Sequence, residues 1–125
     1  MAKVVVIEDD DFVRTLVCRL LQISGHEMLD FVDAKYALRD VNFGEVDLVI
    51  TDLEMPTRGE VAIETIRERG FEVPIVVMSS HIDPLRVTEL MALGAQSILL
   101  KPFRIEDFWM ITEAWIGRVG NKMVG

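Results

Sequence analysis

The sequence contains a single cysteine, Cys18, so no disulfide can form within the chain. Cys18 lies inside the apolar run at residues 12–23, where we expect a small side chain that packs rather than a thiol that reacts. A chain without a disulfide framework suits a reducing compartment. We therefore predict a cytoplasmic protein.

Long hydrophobic runs are also absent. No apolar stretch approaches the roughly 18 residues that cross a membrane, and the residues before Val4–Ile7 are too few for a signal peptide. Basic residues are scarce: 13 stand against 21 acidic ones, and the formal net charge is −8. This balance argues against nucleic acid or an anionic membrane as a partner, although the charge can also serve solubility alone.

Internal repeats, low-complexity tracts and linkers are missing as well. Half of the residues are hydrophobic, which is enough to bury a core without disulfides or a structural metal. We therefore predict one domain over residues 1–125, with its core at residues 3–118 and no second domain.

Hydrophobic patterning divides the chain into short strands and amphipathic helices. Short apolar runs, β-branched in the first and fourth cases, predict strands at Val4–Ile7, Met28–Val32, Val46–Thr51, Pro74–Met78 and Ser97–Leu100. Apolar residues three or four apart predict helices at Phe12–Ser24, Ala34–Val41, Glu60–Arg69, Pro84–Leu93 and Arg104–Ile116. Either Asp10 or Asp11 can cap the first helix.

This regular alternation predicts an α/β fold, with a doubly wound five-stranded parallel sheet covered by helices on both faces. The crossovers between parallel strands are then expected to be right-handed. In such a sheet a ligand binds beyond the carboxyl ends of the strands. The residues at those ends are therefore the candidates for a functional site.

Acids, hydroxyls and a lysine follow the predicted strands. Carboxylates that lie close together repel one another unless a cation or a proton is shared between them. Oxygen ligands suit Mg²⁺, and a cation beside a carboxylate and a lysine is the usual equipment of phosphoryl transfer. Each residue alone is more often a helix cap or a turn residue, but their combination at matching strand ends favours a cation site. The residues are Glu8, Asp9, Asp52, Ser79, Ser80 and Lys101.

Four segments resemble the receiver domains of two-component response regulators, and the resemblance covers residue 3 to about residue 116. The segments are VVVIEDDDFVR at 4–14, VDLVITDLEMP at 46–56, VPIVVMSS at 73–80 and LLKPF at 99–103. The resemblance implies a CheY-like, flavodoxin-like sheet with strand order 2-1-3-4-5.

The resemblance also implies a role for each acid. Asp52 matches the phosphoacceptor, which is also a metal ligand. Asp9 matches the direct metal ligand, and Glu8 matches its partner that acts through water. The backbone carbonyl of Glu54 would complete the protein ligands of Mg²⁺, or of Mn²⁺ in its place.

The remaining roles fall on the other side of the implied site. Ser79 matches the hydroxyl that bonds the phosphoryl group, and Lys101 matches the lysine that pairs with a phosphoryl oxygen. The resemblance implies a cis peptide bond between Lys101 and Pro102. Position 98 departs from the family pattern, because Ile98 stands where many members have the aromatic residue that rotates on activation.

Three further positions modulate the lifetime of the phosphoryl group in this family: Glu54, Ser80 and His81. The side chains of Glu54 and His81 are expected to flank the path of water. An acid at position 54 could repel that water or orient it, and the sequence does not decide between the two. His81 could also be no more than an exposed turn residue.

The implied function is that of a stand-alone response regulator without an effector domain. A sensor histidine kinase or a histidine phosphotransfer protein would donate the phosphoryl group, and a target protein would bind the face of the fourth helix, fifth strand and fifth helix. Such a domain catalyses only its own phosphorylation and dephosphorylation, so we predict a switch rather than an enzyme. The expected oligomeric state is a monomer or a weak homodimer.

Two other functions stay open. The chain could be a phosphorelay intermediate or a phosphate sink instead of an output module. More remotely, it could be a metal-dependent hydrolase of the phosphatase type. Those enzymes typically carry a second catalytic aspartate two residues after the nucleophile, where this chain has Glu54.

Overall fold

The computed structural model describes the backbone of residues 1–124 and the side chains of residues 1–117. Five strands alternate with five helices, as predicted. The strands are β1 (Lys3–Ile7), β2 (Glu27–Phe31), β3 (Leu48–Asp52), β4 (Ile75–Ser79) and β5 (Ser97–Leu100). The helices are α1 (Asp11–Ile23), α2 (Ala34–Asp40), α3 (Gly59–Glu68), α4 (Pro84–Leu93) and α5 (Ile105–Val124).

The strands form one parallel sheet in the order β2-β1-β3-β4-β5, which confirms the predicted fold class and strand order. Ile7 lies opposite Thr51, and Ser79 lies opposite Leu100. The carboxyl ends of β1, β3, β4 and β5 therefore finish near one level. Any side chain that follows these strands is brought to the same edge of the sheet.

The sheet separates two hydrophobic cores. Successive side chains of a strand point to opposite faces, so Val4 packs on the face covered by α1 and α5, whereas Val5 packs on the face covered by α2, α3 and α4. Every residue of the central strands β3 and β4 is buried. This burial on both faces explains why their sequences are apolar runs rather than alternating patterns.

The caps of α1 hold its start beside the end of β1. Asp10, not Asp11, is the N-cap, and its carboxylate accepts a hydrogen bond of 3.0 Å from the amide of Val13. Gly25 follows the helix with φ of 83°, a left-handed conformation that side chains rarely adopt. Cys18 is partly buried on this helix, and burial raises the pKa of its thiol to about 11, as expected of a packing residue.

Two element boundaries differ clearly from the sequence prediction. β3 was predicted to begin at Val46, but residues 43–45 form a 3₁₀ turn that Val46 closes, and the strand begins at Leu48. The side chain of Asn42 stabilises that turn by accepting a hydrogen bond of 3.0 Å from Gly44, a local contact that apolar patterning does not register. Helix α5 continues to Val124, past the predicted end at Ile116. Among residues 1–124, none of the helices has the length and apolar character that a membrane span requires.

Asp33 connects the start of α2 to the loop after β3. Its carboxylate accepts hydrogen bonds from the amides of Lys35, at 3.1 Å, and Thr57, at 2.8 Å. Burial raises the pKa of this carboxyl, but the bonds from Thr57 and Lys35 outweigh burial and hold the pKa below its usual value. The ionised form is therefore favoured by folding.

Replacing Asp33 with alanine is expected to lower the free energy of unfolding by about 2 kcal/mol at neutral pH, because the variant loses a helix cap and a bond to a partly buried amide. Because the folded pKa is depressed, the stabilisation is complete above the unfolded pKa of about 4 and is lost as the pH falls through the folded value. Urea unfolding at several pH values measures both effects. Asp40→Ala, which removes an exposed carboxylate of the same helix, is the control that should change stability little; equal losses for the two variants would contradict the assignment.

Candidate phosphoacceptor and cation site

Two acids extend from the end of β1 at the edge of the sheet. The amide of Glu8 donates a 3.0 Å hydrogen bond to the carbonyl of Phe31, so the strand pairing continues one residue past Ile7 and buries Glu8 completely. Asp9 comes next and is exposed. One acid therefore points into the protein, and the next lies at its surface.

Asp52 is the last residue of β3, and its side chain is almost fully buried. The loop that follows folds back so closely that a side-chain carbon added at Gly59 would lie 2.5 Å from the carbonyl oxygen of Asp52. Only glycine fits there without moving the backbone. Gly59 thus allows the start of α3 to pack directly against the backbone of Asp52, the candidate phosphoacceptor.

Lys101 reaches the site from the opposite side, after β5. Its ammonium group donates hydrogen bonds to Glu8, at 2.6 Å, and to Asp52, at 3.1 Å. The amide of Lys101 donates a 2.8 Å bond to the carbonyl of Ser79, which holds the ends of β4 and β5 together. The Lys101–Pro102 peptide bond is cis.

Glu8, Asp9 and Asp52 form a cluster that can hold a metal ion. Each residue can offer one carboxylate oxygen so that the three oxygens lie within 4.8 Å of one another. Three acids against one lysine leave excess negative charge at this edge. All the donors are hard oxygens, which fits Mg²⁺ or Mn²⁺ and not a soft metal.

The charges of the cluster shift the ionisation of its members. Burial raises the pKa of the Asp52 carboxyl above its usual value; Lys101 opposes this shift, and Glu8 adds to it. Burial lowers the pKa of Lys101, but the bonds to Glu8 and Asp52 outweigh burial and raise it overall. Lys101 is therefore a fixed cation, while Asp52 carries a charge that the protein stabilises poorly on its own.

Ser79 is held by neighbours other than Asp52. Its hydroxyl oxygen lies 3.1 Å from Oε1 of Glu54 and 3.1 Å from the carbonyl oxygen of His81, and it accepts a 3.2 Å bond from the amide of His81. Burial, and then the neighbouring Asp52, raise the pKa of the Glu54 carboxyl. The loop after β3 and the loop after β4 are thus joined by side chains at the mouth of the site.

An open groove of about 540 Å³ leads to this mouth. Asp9, Glu54 and His81 line it on the site side, and Arg58 and Arg86 line it farther out. Of the three clustered acids, Asp9 is the one that lines this groove. In the outer wall Glu60 pairs with both arginines. Its pair with Arg86, 26 positions away, joins α3 to α4, a contact that apolar patterning does not register.

The structure therefore brings Glu8, Asp9, Asp52 and Lys101 together, with Glu54, Ser79 and His81 beside them. Ser80 is exposed and turns toward a separate apolar groove that Phe12 and Phe103 also line. Ile98 lies in β5 and packs against the core on the face of α3 and α4. An aliphatic side chain at this position offers neither the aromatic ring that rotates on activation in many family members nor a polar group that could hydrogen-bond near Ser79.

Residues 4–112 match the family model described as the response regulator receiver domain. The chain belongs to this family. Receiver domains are signalling domains of two-component systems, and they bind Mg²⁺ at an acidic pocket. In this receiver domain the acidic pocket corresponds to the cluster of Glu8, Asp9 and Asp52.

Two curated relatives are covered to different extents. The chain is 34% identical over 122 residues to the transcriptional regulatory protein PrrA of Mycobacterium tuberculosis, a match over 95% of this chain and 52% of PrrA. It is 32% identical over 125 residues to the two-component response regulator ORR3 of rice (Oryza sativa subsp. japonica), a match over 97% of this chain and 89% of ORR3. The receiver domain thus spans about half the length of PrrA.

Solved structures agree with the fold. The chemotaxis protein CheY4 of Vibrio cholerae superposes with a TM-score of 0.83 at 27% identity, over 91% of this chain and 98% of CheY4. A response regulator receiver domain from Clostridium thermocellum superposes with a TM-score of 0.87 at 27% identity, over the whole of both chains.

Proposed function

We propose that Asp52 accepts a phosphoryl group from a phosphohistidine, with Mg²⁺ held by Asp9, Asp52, the backbone carbonyl of Glu54 and, through water, Glu8. The observation that carries the proposal is the convergence of three acids from β1 and β3 with Lys101 from β5. The bound cation would neutralise charge on the phosphoryl oxygens.

The side chains divide the work of the transfer. A carboxylate oxygen of Asp52 attacks phosphorus in line, the P–N bond to the donor histidine breaks, and the imidazole nitrogen keeps the bonding electrons and takes a proton from solvent. Lys101 already lies 3.1 Å from Asp52 and can bind a phosphoryl oxygen without a large movement. The hydroxyl of Ser79 can bind a second phosphoryl oxygen. Water later attacks phosphorus, the bond from phosphorus to the Asp52 oxygen breaks, and inorganic phosphate leaves while the carboxylate is restored.

The charge added to Asp52 is the signal. A phosphoryl group brings about −1.5 to −2 charges, and it offers Ser79 a new acceptor. A turn of Ser79 toward it would move the loop that leads into α4. Two arrangements of this loop, shifted in population by phosphorylation, are the form of switch that we propose.

The partners follow from this chemistry. We propose a histidine kinase or a histidine phosphotransfer protein as donor, in the cytoplasm, and a target protein that binds the face of α4, β5 and α5. On that face Met91, Leu100, Ile105 and Met110 are exposed, which supports an apolar contact. The names of relatives such as PrrA describe transcriptional regulators, whereas this acidic chain itself is proposed to act through protein contacts.

Transfer to the protein is tested with a phosphorylated histidine phosphotransfer protein and Mg²⁺. Radiolabel should move from the donor to the receiver domain as a bond that hydroxylamine cleaves, as an acyl phosphate requires. A stable label that resists hydroxylamine, or sustained release of phosphate from a phosphomonoester, would contradict the proposal in favour of other chemistry. Rapid return of the label to the histidine protein would instead identify a relay intermediate.

Glu54→Ala is expected to slow loss of the phosphoryl group by about tenfold, since Glu54 is the acceptor beside Asp52 that can orient the attacking water, and one such bond contributes about 1.4 kcal/mol. The decay of the acyl phosphate is followed after the small phosphodonor is removed. Glu64→Ala removes the same charge from an exposed position of α3, and its acyl phosphate should decay at the rate of the parent's. Equal decay of the Glu54 variant and the parent would refute the role in hydrolysis.

A further inference from the structure

We propose that Glu54 holds the hydroxyl of Ser79 in the unphosphorylated protein and so competes with the phosphoryl group for it. This inference rests on the function proposed above and adds a regulatory role to a side chain whose backbone carbonyl is a proposed metal ligand. It makes Glu54 a positioning residue that acts through Ser79.

The hydrogen bonds of Ser79 carry the argument. A serine hydroxyl has one proton to donate and two lone pairs that accept. The oxygen of Ser79 accepts from the amide of His81 at 3.2 Å, so the single proton is shared between the carboxylate of Glu54 and the carbonyl of His81, both at 3.1 Å. The bond to a carboxylate is the stronger of the two, because the acceptor is charged.

The backbone of Ser79 is tied to the end of β5. It is fully buried, and its carbonyl accepts a 2.8 Å bond from the amide of Lys101 at the end of the β4–β5 pairing. A turn of its side chain is the smallest change that brings the hydroxyl to a new acceptor. A phosphoryl oxygen on Asp52 therefore gains the hydroxyl only when the contact with Glu54 is given up.

Charge makes the competition sensitive to phosphorylation. The carboxyl of Glu54 lies beside the site, 3.1 Å from the hydroxyl of Ser79, and Glu54 follows Asp52 by two residues. Added negative charge on Asp52 would repel the same carboxylate that holds Ser79. Phosphorylation would thus weaken the hydrogen bond from Ser79 to Glu54 and, at the same time, supply a phosphoryl oxygen as a new acceptor.

A double-mutant cycle separates this role from simple charge repulsion. The measured quantity is the affinity of the protein for beryllofluoride, a phosphoryl analogue, in the presence of Mg²⁺. Calorimetry gives this affinity for the parent, Glu54→Ala, Ser79→Ala and the double variant. Glu54→Ala should bind about tenfold more tightly than the parent, since one charged hydrogen bond no longer competes. In the Ser79→Ala background the same change should tighten binding by no more than about threefold, which is the part owed to charge.

Two further variants keep the result interpretable. Glu54→Gln retains an acceptor oxygen for Ser79 and should fall between Glu54→Ala and the parent. Ser79→Thr retains the hydroxyl and should preserve the coupling. An equal gain from Glu54→Ala in both backgrounds, or weaker binding, would overturn the inference while leaving the proposed function intact. Failure of the parent to bind the analogue at all would overturn both.

Discussion

Replacing Lys101 with methionine is expected to lower the free energy of unfolding by about 3 kcal/mol at neutral pH without divalent cations. Methionine keeps most of the apolar stem of the side chain but removes the ammonium group. Glu8 is fully buried and Asp52 nearly so, and Lys101 bonds both. The variant leaves two carboxylates facing each other in a site that excludes most water.

The direction of the effect with pH follows from the same groups. The pKa of Asp52 is already raised in the parent, and without Lys101 the ammonium no longer opposes burial and Glu8. A raised carboxyl pKa destabilises the fold as the pH rises above the unfolded value of about 4. The deficit of Lys101→Met should therefore shrink toward low pH, where the carboxyls are protonated.

Chemical unfolding with and without Mg²⁺ measures this prediction. Mg²⁺ should restore part of the lost stability, because a ligand that binds only the folded state stabilises it. Lys3→Met is the matched control: Lys3 also faces a glutamate, Glu45, but that pair is 3.9 Å apart and the glutamate is exposed. Similar decreases in the free energy of unfolding for the two lysine variants would show that the pairing of Lys101 with Glu8 and Asp52 contributes no more to stability than an ordinary surface pair.

Asp9→Asn is expected to reduce the affinity for Mg²⁺ by at least about tenfold, since cation sites of this kind depend on the number of charged oxygen ligands. Asp9 is exposed, so its replacement should leave the fold stable. Calorimetric titration with Mg²⁺, or with Mn²⁺ as a spectroscopic substitute, gives the affinity directly.

The control for this variant lies two residues away. Asp11→Asn removes the same charge from the same exposed segment, but Asp11 pairs with Arg14 and is not among the clustered acids. Its affinity for Mg²⁺ should stay close to that of the parent. If both variants bound Mg²⁺ alike, general acidity of the segment would explain binding, and Asp9 would lose its role as a ligand.

The strand ends were predictable because two physical signals coincide there. Apolar runs stop at Glu8, Asp52 and Lys101, and parallel strands bring such stops to one edge of a sheet. The family resemblance then gave each residue a role. Neither signal depends on how the loops pack.

Contacts between the segments that follow different strands could not be predicted from the sequence. The hydrogen bond from Ser79 to Glu54 joins residues 25 positions apart, and it depends on the relative placement of two loops that share no periodic pattern. The exclusion of a side chain at Gly59 is visible only in the 2.5 Å approach to the backbone of Asp52, which no pattern in the sequence registers. The start of β3 was predicted too early because Val46 prolongs an apolar run while closing a turn.

Phosphorylation of Asp52 itself is tested most directly by intact mass after incubation with acetyl phosphate and Mg²⁺. The account predicts that the parent gains the mass of one phosphoryl group, that a chelator prevents the gain, and that Asp52→Asn gains nothing. A parent that stays unmodified, or an Asp52→Asn variant that gains the group as readily as the parent, would contradict the assignment of Asp52.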